Sequence, residues 1–231
     1  LAYTPEHRFA VPPNLHIIGT MNTADRSIAL MDVALRRRFT FEEMMPEPEV
    51  VRTVVGKASG SPVLADLLTA LFEVMNSRIR FLYDRDHQIG HAYFLRVRSL
   101  DDLRLLLVDK LVPLLQEYFY GSWDKICLVL GCPYDENGQA SRSGPVASGT
   151  HYLAPVIQAR PLAGDVISGW DNEDYEPRLD YGIAPALMKA GVSAAELLPY
   201  FLGIGNFTAD EREELVGALT SVGTTEKEAV G

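Results

Sequence analysis

The chain has 231 residues, 47% hydrophobic and 23% charged, with mean hydropathy +0.02; that is the make-up of one or two packed domains and excludes a disordered tail, a collagen or a coiled-coil rod. No run of 18 apolar residues occurs, and Leu1–His7 lacks a basic stretch leading into an apolar one, so no membrane span or secretory leader is expected. The net charge of −10 is uneven: residues 1–130 hold 15 Lys and Arg against 16 Asp and Glu, residues 131–231 hold 6 against 15, and the acidic half is unsuited to gripping a phosphate backbone.

Residues 1–46 read as the end of an α/β domain. Asn14–Thr20 is a short apolar run stopped by Gly19 and predicts a buried strand. Ser27 can cap a helix on which Ile28, Met31 and Leu35 share an apolar face, with Asp32 and Arg36 paired at i, i+4. Phe39-Thr40-Phe41 alternates like a second strand, ended by Pro46 and Pro48.

Residues 47–131 are helical by pattern. Ser61-Pro62 supplies an N-cap and an N1 proline, and Leu64, Leu67, Leu68, Leu71, Phe72, Met75 and Ile79 follow at helical spacing. Ser99 with Asp102 opens another helix, carrying Leu103, Leu106, Leu107, Leu111, Leu114 and Leu115, which Pro113 should kink or split. Trp123, Ile126 and Leu130 form a last helix, ended by Gly131. Residues 132–231 make an acidic extension of mixed α and β character. A Gly, Ser and Pro-rich linker at 133–150 precedes strand-like runs at 151–159 and 165–168. Capping boxes Ser193/Glu196 and Thr208/Glu211 then open two helices, and Thr224–Glu228 is expected to fray. Cys127 and Cys132 have the wrong spacing for a zinc ribbon and are too few for a disulfide framework. They suit a reducing cytoplasm, and no metal site is expected from them.

Chemistry concentrates in Gly19–Ser27 and Asp32–Phe39. Polar side chains at the C-terminal end of a strand occupy the ligand crevice of an open α/β sheet. An asparagine there, Asn22, can orient a water or bind a terminal phosphate; equally, Asn22, Asp25 and Ser27 can form a turn and cap a helix. Arg36-Arg37-Arg38 can complement the helix dipole. Three adjacent arginines cannot share one helical face, however, and one pointing outward can reach a phosphate on another subunit. Spacing alone leaves both pairs of readings open.

The runs Met21-Asn22-Thr23-Ala24-Asp25-Arg26-Ser27 and Ala34-Leu35-Arg36-Arg37-Arg38-Phe39 resemble the McrB family of AAA+ motors, the GTP-driven subunits of modification-dependent restriction systems. Gln88–Phe94 and Pro113–Tyr120 resemble that family's helical lid, so that the likeness covers residues 9 to about 131. The fold implied is the end of an AAA+ P-loop α/β core, then a mainly α-helical lid, then the mixed extension. The resemblance places Asn22 at the sensor-1 position beside the γ-phosphate, with Thr23, Asp25 and Arg26 completing the signature loop. It places Arg37 and Arg38 at the subunit interface with Asp32 near them, and Gly90 and His91 in the lid over the nucleotide. It further implies GTP, or ATP, with Mg2+, like subunits in a ring, a McrC-like nuclease, and DNA engaged through an upstream domain or the partner.

One departure is large: the phosphate loop G-x-x-x-x-G-K-[ST] is missing. Gly56-Lys57 is followed by Ala58, with Val51 where the first glycine belongs. Leu107-Val108-Asp109-Lys110 carries lysine where a magnesium strand needs an acid. The chain also starts at Leu1 rather than methionine. It therefore reads as the second half of a nucleotide site, inactive alone; the alternatives to a GTP-driven restriction subunit are an ATP-dependent AAA+ remodeler, or a non-catalytic docking module lacking a phosphate loop.

Overall fold

The computed structural model describes residues 12–21, 32–131, 146–148, 151–161 and 179–228, which fall in two compact units, 1–41 and 42–231. Among the described residues of the first unit there is one helical turn, α1 (Val33–Arg36). Its start differs from expectation. The Asp32 carboxylate accepts from the Ala34 amide at 3.0 Å, so Asp32 caps α1 instead of pairing with Arg36, and the Arg36 guanidinium sits 5.7 Å from the centre of the Phe41 ring. Ser27, Ile28 and Met31, on which the longer helix depends, lie outside the described residues.

The two strands predicted in this unit are not formed. Residues 15–21 and 39–41 are irregular, with Ile17 68% and Ile18 93% exposed. A buried strand needs neighbours for its backbone groups and for both its faces. Among the described residues of this unit there is no strand to pair with.

The second unit is helical at its centre. Pro48 does not end a strand but opens α2 (Pro48–Ser59) at its first turn, where its missing N–H costs nothing. Gly60, at φ 69°, ends the helix. In α3 (Pro62–Leu82) the Ser61 hydroxyl accepts from the Leu64 amide at 3.2 Å. The apolar stripe from Leu64 to Ile79 is buried, against Val51 and Val55 of α2 among others. Each fully buried Leu or Phe contributes about 1.5–3 kcal/mol.

The Ser99/Asp102 capping box opens α4 (Leu100–Leu106). Pro113 does not split the helical run around it. A π-helical turn, Leu107–Leu111, leads directly into α5 (Val112–Tyr118), with the Val112 amide donating to the Leu107 carbonyl. That wider loop of chain makes room for a ring that cannot donate and would crowd the carbonyl four residues back. Then α6 (Trp123–Val129) ends at Gly131, whose φ is 70°.

Beyond it the described residues form four short strands, β1 (Val146–Ser148), β2 (His151–Leu153), β3 (Ile157–Pro161) and β4 (Leu179–Ile183). The single run expected over 151–159 is broken at Ala154, whose amide donates to the Pro199 carbonyl at 3.1 Å instead of to a strand. Two antiparallel pairs result, β1 with β2 and β3 with β4, the latter in register Ile157 to Ile183; residues 165–168 lie outside the described residues. Capping boxes start α7 (Ala194–Ile204) and α8 (Ala209–Glu228) where the sequence placed them. The backbone of α8 is helical to Glu228, through the segment expected to fray.

Val156, Ile157, Ala184, Leu187, Leu198, Phe201, Leu202 and Leu219 join the same core cluster as Leu68, Phe72 and Leu111. Two arginines bind the later elements to the helices. Half-buried Arg78 of α3 donates from Nη1 to the carbonyls of Val129 (3.0 Å) and Ile204 (2.7 Å), at the ends of α6 and α7, and from Nη2 to Asn206 Oδ1 (2.9 Å). Buried Arg104 of α4 pairs with Asp101 at 2.6 Å and donates to the Leu187 carbonyl at 2.9 Å. The Asp101 hydrogen bond raises the Arg104 pKa and keeps it charged despite burial.

Candidate functional site

Of the candidate residues in the first unit, Asn22, Thr23, Asp25 and Arg26 lie outside the described residues. Asp32 caps α1, and Arg37 and Arg38 form the turn directly after it, both exposed. Among the described residues neither guanidinium has a carboxylate partner, so neither is committed to an intramolecular ion pair there. A planar, permanently charged fork in that condition can meet a phosphate bidentately.

In the second unit, Gly90 and His91 stand at the end of a tightly built loop, Asp84–His91, which comes after α3. Asp84 organises its first half: one carboxylate oxygen accepts from the amides of Asp86 (2.8 Å) and His87 (3.0 Å) and lies 2.7 Å from His87 Nδ1. Desolvation pushes the Asp84 pKa up, but the hydrogen bonds from the His87 ring and from these amides outweigh it and hold the carboxyl below its ordinary value. The buried His87 ring meets Tyr83 and Tyr118 edge-on, with centroids 4.3 and 5.1 Å away.

Asn76 holds the second half. It lies inside the apolar stripe of α3 and is 5% exposed. Its Nδ2 donates to the Ile89 carbonyl at 3.0 Å, and its Oδ1 accepts from the Ile89 amide at 2.7 Å. Both backbone groups of a fully buried residue are thereby satisfied by one side chain. Gly90 is extended, at φ −69° and ψ 143°, and leads into the single 3₁₀ turn His91–Tyr93. His91 Nδ1 accepts from the Glu47 amide at 3.4 Å, and Arg85 forms an ion pair with Glu43. The loop thus touches residues 43–47, which lead into α2.

Sequence reasoning singled out Gly90 and His91 but missed Asn76, Asp84, Arg85 and His87. Asn76 carried a legible signal, because a lone amide four residues after Phe72 and three before Ile79 interrupts an otherwise apolar face. Toward a metal, the described residues bring no three His, Cys, Asp or Glu side chains together. None of their helices is long and apolar enough to cross a membrane.

Residues 67–127, from the second turn of α3 to α6, match the family described as McrB, alpha-helical lid domain. Over these residues the chain is similar to the McrB lid family. One relative is the Type IV methyl-directed restriction enzyme EcoKMcrB subunit of Escherichia coli (strain K12), 35% identical over 128 residues. That stretch is 50% of this chain and 28% of the relative, so the chain spans little more than a quarter of the protein it matches. Within the matched residues fall Asn76, the whole Asp84–His91 loop and the π turn; Arg37 and Arg38 precede them.

Proposed function

We propose that the chain is the C-terminal part of a McrB-like AAA+ subunit, comprising the end of the α/β core, the lid and an extension packed onto the lid. In the intact protein it binds and hydrolyses GTP with Mg2+ at the interfaces of a ring and powers a McrC-like nuclease along DNA in the cytoplasm. The observation that carries this reading is the McrB lid match over residues 67–127, whose Asp84–His91 loop is preorganised by Asn76 and Asp84.

The residues present suit one part of such a site. Exposed Arg37 and Arg38 offer charge for a γ-phosphate held by a neighbouring subunit, and Gly90 and His91 offer a lid surface for the nucleotide. The phosphate cradle and the magnesium ligands are assigned to sequence upstream, since neither the Walker A nor the Walker B pattern occurs here. When bound, Mg2+ would supply charge neutralisation for the phosphates during transfer.

The test is complementation in the intact subunit. An arginine acting across an interface contributes roughly 10³–10⁵ in rate, whereas one that only complements a helix dipole contributes under about 1 kcal/mol of stability. Arg37→Ala and Arg38→Ala should each leave the melting temperature nearly unchanged, and at least one should abolish GTP turnover. Mixed with a subunit lacking the phosphate-loop lysine, the dead variant should regain activity, because some interfaces then hold one intact half from each partner. If both variants turn over normally, or if mixed rings form and stay inactive, the interface role is wrong.

A further inference from the structure

Gly90 and His91 have no deep side-chain anchorage of their own: Gly90 carries no side chain, the His91 ring accepts one 3.4 Å hydrogen bond from the Glu47 amide, and their carbonyls accept from Tyr93 (3.3 Å) and Phe94 (3.0 Å) within or directly after their own turn. Their position is inherited from Ile89, which is completely buried and whose amide and carbonyl are both held by Asn76. Water cannot substitute for that amide at a site so little exposed, and an unmet buried donor or acceptor is costly. Losing Asn76 therefore leaves two buried backbone groups seeking partners, and the loop relieves them by moving Ile89 and carrying Gly90 and His91 with it. Asp84 and His87 fix the other end of the loop, so displacement is confined to Gln88–His91.

We infer that Asn76 is a positioning residue, which sets through Ile89 where Gly90 and His91 stand against a bound nucleotide. The inference rests on the reading of the lid as the cover of a nucleotide site and adds the side chain that aligns that cover. Asn76 acts without touching the nucleotide itself.

The experiment uses the intact subunit, with affinity for the non-hydrolysable analogue guanosine 5′-(β,γ-imido)triphosphate plus Mg2+ measured well below every variant's melting temperature. Leu198→Ala serves as the control; it opens a cavity in α7 and lowers stability without touching the loop. Asn76→Ala should weaken nucleotide binding by about tenfold, equivalent to about 1.4 kcal/mol, and Leu198→Ala by less than about twofold. Equal losses in the two would make Asn76 a purely structural residue and overturn the inference.

A second measurement needs no variant. If nucleotide affinity depends on the placement of Ile89, then by reciprocity nucleotide must slow hydrogen exchange at the Ile89 amide, and unchanged exchange there also overturns the inference. His91→Ala and Gly90→Val separate the two levels. If neither alters nucleotide affinity, the lid does not cover the nucleotide and the underlying reading fails. If they alter it while Asn76→Ala merely matches the control, only the positioning role fails.

Discussion

Arg78→Ala tests whether the elements after residue 131 are part of the lid or ride on it. The guanidinium reaches two carbonyls at helix ends, Val129 at 3.0 Å and Ile204 at 2.7 Å, and the Asn206 side chain at 2.9 Å. Hydrogen bonds from a charged donor contribute about 1.5–3 kcal/mol each, and cations near helix C-termini about 0.3–1 kcal/mol more. Arg78 is only half-buried, so water replaces part of what is lost, and the expected cost is about 3 kcal/mol. For a domain of this size that is a fall in melting temperature of about 6–12 °C, readable by circular dichroism at 222 nm or from urea midpoints. Arg78→Lys keeps the charge without the fork, so it should recover less than half of the loss. Exchange of α7 amides should quicken in Arg78→Ala ahead of those in α2. A fall under about 2 °C, or a lysine variant as stable as the parent, would refute the assignment of Arg78 as a staple between α3, α6 and α7.

At Gly131, with φ 70°, a Cβ would run into the Gly203 carbonyl and come 3.1 Å from Arg78 Nη1. Gly131→Ala should therefore destabilise the chain by more than about 1 kcal/mol in a urea titration, whereas Gly60→Ala, strained alike but in open space, should cost less. For Asp84, whose folded pKa lies below the ordinary 3.8, the stabilising contribution is present above that ordinary value and is lost as pH falls through the depressed one. Comparing urea midpoints at pH 7 and at about pH 3, Asp84→Asn should lose less on acidification than the parent; parallel profiles would mean that the carboxylate contributes nothing to acid sensitivity. In an intact subunit, Asn22→Ala should lower GTP turnover far more than nucleotide affinity, since orienting a water matters in the transition state. A loss confined to affinity would return Asn22 to the role of a turn residue.

The sequence revealed most of what is local. Ser61, Ser99 with Asp102, Ser193 with Glu196 and Thr208 with Glu211 each cap a helix at the expected place, because a cap is satisfied within four residues. Asn14–Thr20 failed for the opposite reason: apolar residues become a buried strand only where a sheet receives them. The contacts that join the lid are also long-range. Arg78 finds acceptors 51 and 126 positions away, and Arg104 one 83 positions away, and no pattern around either arginine announces the partner. Asn76 is intermediate, its anomaly visible within the α3 stripe but the identity of Ile89 as its partner visible only in the fold.

The π turn before Pro113 constrains length. Through Leu107–Leu111 each hydrogen-bonded loop encloses one more residue than in an α-helix, so the turn takes up one extra residue while the buried positions after it, Leu111, Val112, Leu115 and Phe119, stay in step with the core. Deleting one residue from 107–111 would close the turn to ordinary α geometry and leave the downstream face in step, but it would set the proline ring against the carbonyl four residues before it. Surface connections tolerate insertions and deletions; over these five positions the residue count is tied to the proline that follows.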